Sequence, residues 1–144
     1  MTAPTPTLTG QDIGAASRAT GALLQRLLSG TGTEFTGWVM LNALATNGSS
    51  LDREVLVKRV VNGLKIDATE AVDALDKIVH SGLVTVVNGA VALTPAGTGQ
   101  FEEIRDGVVA IAQRLYGDLP AEDLAVAHRI LVEVTERANA ELAA

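Results

Sequence analysis

The chain has 144 residues, 47% apolar and 19% charged, with no cysteine and a formal net charge of −6. That balance describes a globular chain able to bury roughly two-thirds of its unfolded surface, and it excludes disulfide scaffolds, thiolate metal sites and cysteine redox chemistry. No apolar run approaches the roughly 18 residues of a membrane span, and the polar opening MTAPTPTLTG, read as a flexible lead over residues 1–10, lacks the build of a signal peptide. Cytoplasm is the expected compartment, with no membrane partner.

Aromatic residues make up only 3% of the chain, so the core falls to Leu, Val, Ile and Ala, a composition that suits packed helices. From Gln11 to Leu28, Ile13, Ala16, Ala19, Leu23, Leu24 and Leu27 recur at steps that include three and four residues and predict one apolar stripe of a first helix. SGTGTEF breaks it. A second helix is predicted over Thr36 to Ala45 with Trp38, Leu41 and Leu44 inward, stopped by TNGSS. The third starts near Leu51 or Asp52 and runs to about Asn62, with Gly63 as its stop.

DATEAVDALDKIVHSGLV carries the clearest local signal. Asp67 caps a fourth helix, Glu70 three residues on completes a capping box, and Val72, Leu75, Ile78 and Val79 are the expected buried stripe. Gly82 ends it. LVTVV and AVALT flank Asn88-Gly89, the dipeptide that best fits a two-residue hairpin because both positions take positive φ. Thr94 then caps a fifth helix with Pro95 at its first position, carrying Phe101, Ile104, Val108, Ile111 and Leu115 and ending near Gly117. Pro120 opens a sixth, with Leu124, Leu131, Val134, Ala138 and Leu142 along one side.

The fold class that follows is mainly α with a small β-hairpin: a winged helix-turn-helix core over 34–94, flanked by helices over 11–30 and 95–144, in a single domain from 11 to 144. Those outer helices carry more apolar stripe than the small core can cover, which predicts a partner surface, with a second copy of the chain as its occupant.

The phrases LDKIVHSGLV and LTPAG, and the downstream pair FEEIRDGVVAIAQRLYGDLPAEDLAVAHRILVEVTERANAEL, resemble the multiple antibiotic resistance regulator (MarR) family over nearly the whole chain. The resemblance implies a cytoplasmic homodimer binding palindromic operator DNA, often released by a small aromatic effector. By position, the reading helix is Asp67 to His80, with Thr69, Glu70, Asp73, Asp76 and Lys77 presented to the major groove. Candidate DNA-binding residues are therefore Arg53, Lys58, Arg59, Lys65, Thr69, Asp73, Lys77 and Asn88. Candidate ligand-binding residues, for a crevice between the outer helices and the winged core, are Arg18, Trp38, Tyr116 and His128.

Two features depart from the family pattern. Between Asp52 and Leu93 the five cations Arg53, Lys58, Arg59, Lys65 and Lys77 face six carboxylates, so the reading half is not basic. Members of the family typically carry an Arg at the tip of a longer wing, whereas VTVVNGAVALTPAG contains no ionisable side chain at all. Such a bare hairpin reads as a packing element. Two functions stay open: a DNA-binding regulator, and a homodimer of the same type that has lost DNA binding and acts by protein contact or ligand sensing. His80 and His128 stand in no zinc-site spacing, and no nucleophile triad or phosphate-cradling loop appears, so neither metal, cofactor nor enzymatic activity is expected.

Overall fold

The computed structural model describes residues 7–144, which divide into two compact units after Val108. In chain order the elements are α1 (Gly10–Ser29), α2 (Phe35–Ala45), β1 (Ser50–Asp52), α3 (Arg53–Leu64), α4 (Ala68–His80), β2 (Val84–Val87), β3 (Ala90–Leu93), α5 (Pro95–Tyr116) and α6 (Ala121–Ala143). The first unit holds everything up to the middle of α5, and the second holds the end of α5 and α6. Most of the lead expected over 1–10 lies outside the described residues; Thr9 caps α1 in a reciprocal box with Asp12, and Gly10 is its first helical residue.

α2 is the centre of the first unit. Its Met40, Leu41 and Leu44 are fully buried, packed with Leu56 and Val60 of α3, Leu75 and Ile78 of α4, and Val84 and Val91 of the sheet. Each fully buried aliphatic side chain of this kind contributes about 1.5–3 kcal/mol. Gly37 lets α2 approach α4 closely, since a Cβ there would lie 3.0 Å from Ile78 Cγ2. Trp38, expected inward, is half-buried at the edge of the cluster.

The buried stripe of α4 is Ala71, Ala74, Leu75 and Ile78, which corrects the expected one: Val72 is half-buried and Val79 exposed. Two small alanines let the helix pack tightly on α2 and α3, whereas a reading that weighs side chains by size selects the valines. Asp67 does cap α4, its carboxylate accepting from Glu70 N–H at 2.8 Å. α3 runs through Gly63 and stops at Lys65, which takes the left-handed conformation (φ 59°, ψ 42°) usually given to glycine.

The hairpin is joined by a strand the sequence did not announce. β1 pairs antiparallel with β3, giving a three-stranded sheet of order β1-β3-β2 with Ser50 opposite Ala92, Leu51 opposite Val91 and Asp52 opposite Ala90. Asn88 and Gly89 both have positive φ (53° and 79°), as the tight turn requires. The wing divides in its burial: Val84 and Val91 are core residues, while Val86 and Val87 are 41% and 63% exposed. The packing role expected of the whole hairpin therefore falls on Val84 and Val91 and not on Val86 and Val87.

LTPAG acquires a physical meaning here. The Thr94 hydroxyl oxygen lies 2.7 Å from Gly82 O and 3.0 Å from Leu83 O, within donating distance of both, and accepts from Gly97 N–H at 3.0 Å, so one side chain caps α5 and ties it to the start of β2. A Cβ on Gly97 would overlap the Leu83 carbonyl oxygen. Further along, Phe101 and Ile104 are buried and Gly107 lies against the Leu27 side chain of α1. In the second unit no residue of α6 is buried, and Val126, Leu131, Val132, Val134 and Leu142 are 40–71% exposed.

Candidate nucleic-acid interface

In helix-turn-helix heads that bind DNA the contact is made by the solvent face of the second helix, the position that α4 holds in this fold. At about 100° per residue, Thr69, Asp73, Asp76 and His80 form one exposed stripe opposite Ala71, Ala74, Leu75 and Ile78. The stripe holds two carboxylates and no lysine or arginine. Lys77, one turn beyond Asp73 and displaced to the side, is drawn to Glu34 at the start of α2, with its Nζ 3.1 Å from both carboxylate oxygens. With side chains 63% and 68% exposed, that pair is worth well under about 1 kcal/mol, so Lys77 can exchange Glu34 for a phosphate at little cost.

The remaining cations do not converge. Lys58 and Arg59 are both exposed but stand about 100° apart around α3. Lys65 at the end of α3 donates through Nζ to the Asn62 carbonyl, so it serves the helix terminus it caps. Arg53 and Asn88, by contrast, are brought together: the Arg53 backbone N–H donates to Gly89 O at 2.8 Å, setting the first residue of α3 beside the wing turn. Sequence reasoning missed that juxtaposition, because it depends on the pairing of β1 with β3.

The ligand candidates fall in different units, Arg18 and Trp38 in the first and Tyr116 and His128 in the second. Arg18 is exposed on α1 and folds back over Gly14. Trp38 stacks on Phe101 with ring centroids 5.6 Å apart and planes 16° from parallel, and the Arg105 guanidinium lies 5.5 Å from the Phe101 centroid. Trp38 thus belongs to an aromatic pair bridging α2 and α5, with a cation that the sequence did not single out. Tyr116 and His128 are exposed. A crevice of about 50 Å³ between α2 and α4, bordered by Thr33, Lys77 and Ser81, has room for one or two waters and no drug-sized ligand. Among the described residues no group of three or more His, Asp or Glu side chains could hold a metal ion, and no helix is long and apolar enough to cross a membrane.

Four helices, a three-stranded sheet and a short turn-tipped wing in the first unit make this a winged helix-turn-helix protein with a further long helix in the second. The fold is of the multiple antibiotic resistance regulator (MarR) type. The chain is similar to ligand-free NadR (20% identity, 93% of this chain and 98% of that one, TM-score 0.77). It is likewise similar to the reduced form of MarR from E. coli (22%, 90% and 95%, 0.69) and to CouR from Rhodococcus jostii RHA1 bound to p-coumaroyl-CoA (16%, 90% and 95%, 0.71). NadR is also known in complex with 4-hydroxyphenylacetate. No family model matches the chain, and no curated protein matches it by sequence.

Proposed function

We propose that this protein is a MarR-type transcriptional regulator that works in the cytoplasm as a homodimer, placing two winged heads on an operator of twofold symmetry. The observation that carries the reading is the reach of the likeness to NadR, 93% of this chain, which takes in helices outside the winged core as well as the head. α6 supports it independently, because its apolar side chains are left open to solvent and a second copy would cover them. The aromatic ligands of NadR and CouR suggest the effector class, a small aromatic acid or its thioester.

A second reading rests on α4. Asp73 and Asp76 on its exposed stripe oppose a polyanion, which favours a dimer of the same architecture acting through protein contact. A polarisation titration of the full chain against duplex DNA recovered by selection from a randomised pool separates the two. Saturable, salt-sensitive binding supports the regulator; no binding at low salt supports the second reading.

A further inference from the structure

In this sheet β1 runs alongside β3 up to Asp52 opposite Ala90, and the next residue, Arg53, hydrogen-bonds through its backbone to Gly89 of the turn. The wing consequently ends level with the first residue of α3. A hairpin of four-residue strands closed by two residues, and flush with its neighbouring helix, has nothing to send to the floor of a minor groove about 7.5 Å deep. The turn itself offers the Asn88 amide and no charge. The cation whose backbone is tied to the turn is Arg53, half-buried, whose guanidinium makes no ion pair or hydrogen bond among the described residues. The adjacent Asp52 carboxylate is occupied by Glu54 N–H and Val55 N–H at the start of α3.

Building on the operator-binding reading, we infer that Arg53 is the outer DNA contact of each head, gripping backbone phosphate beside the wing turn in place of a base-reading wing. Two consequences distinguish this from a minor-groove probe. The contact is indifferent to the sequence of the operator flanks, and it counts as one phosphate per protomer in the salt dependence.

The test is a polarisation titration of the full chain and of R53A, R53K and K58A, from about 50 to about 200 mM salt, on the duplex recovered by selection. A second set of duplexes exchanges A·T for G·C in the flanks alone. R53A is expected to reduce the slope of log affinity against log salt by about 1.8 for the dimer, about 0.9 for each arginine. R53K keeps the wild-type slope, because a phosphate needs only the charge, and the flank exchange leaves wild-type affinity unchanged. A wild-type slope in R53A, a melt of which verifies folding, overturns the inference. So does a flank preference that R53A and R53K both abolish, which would mark a minor-groove reader. Absence of wild-type binding to any duplex at the lowest salt removes the operator reading and this inference together.

Discussion

Truncating Leu131 tests the homodimer through a number the structure supplies. Leu131 lies on the stripe Leu124, Leu131, Val134, Ala138 and Leu142 of α6 and is 46% exposed. Complete burial of a leucine side chain is worth about 1.5–3 kcal/mol, so covering the open half contributes about 0.7–1.4 kcal/mol. In the proposed dimer a twofold axis would repeat the contact, and Leu131→Ala is then expected to cost about 1.4–2.8 kcal/mol, a rise of about ten- to a hundredfold in the dissociation constant. Val126 is a matched control: it is 48% exposed but lies about 140° away around α6, so Val126→Ala should change dissociation by less than about threefold. Sedimentation equilibrium over a concentration series reads all three proteins. A wild type that sediments as one chain at micromolar concentration, or an equal response to both truncations, would refute the reasoning.

Gly97→Ala pushes a methyl group into the Leu83 carbonyl, which must move with the start of β2; it should destabilise the fold by about 2–3 kcal/mol, visible as a lowered urea midpoint, and an unchanged midpoint contradicts the contact. Lys65→Gly relieves a left-handed non-glycine residue and should stabilise by about 0.5–1 kcal/mol, raising Tm by about 2 °C in calorimetry, whereas a fall would mean that the Lys65 bond to Asn62 outweighs the backbone strain. Replacing Asp73 and Asp76 together by Asn removes four carboxylates per dimer from the exposed stripe of α4. Affinity for the selected duplex should rise on the order of tenfold at low salt and converge on wild type as salt increases; no change at low salt would show that α4 does not face the phosphates.

The helices were legible because each carries its own punctuation: Asp67 before α4, Thr94-Pro95 before α5 and Pro120 before α6 act within a few residues of where they stand. The tight turn at Asn88-Gly89 was legible for the same reason. What depends on pairing across the chain was not. β1 is three residues, too short to establish a period, a strand only because β3 lies beside it, and the meeting of Arg53 with the wing turn follows from that pairing. Of the stripe expected on α4, Leu75 and Ile78 are buried, but Val72 and Val79 give way to Ala71 and Ala74, which bury through their smallness. Of the candidate interface, the anionic character of α4 could be read directly, but the dispersal of Lys58, Arg59 and Lys65 and the pairing of Lys77 with Glu34 required the folded chain. Gly63 looked like a stop because it is glycine, yet α3 continues to Leu64 and places Lys65 in the left-handed position instead.

The measurement that bears most directly on the proposed regulator function is the binding of the 144-residue chain to a selected twofold-symmetric duplex, with stoichiometry and salt dependence read together. With Arg53 and one of Lys58 or Arg59 engaged in each protomer, two chains should bind per duplex with a slope of about −3 to −4 in log affinity against log salt. No saturable binding at the lowest salt, or one chain per duplex, would contradict it.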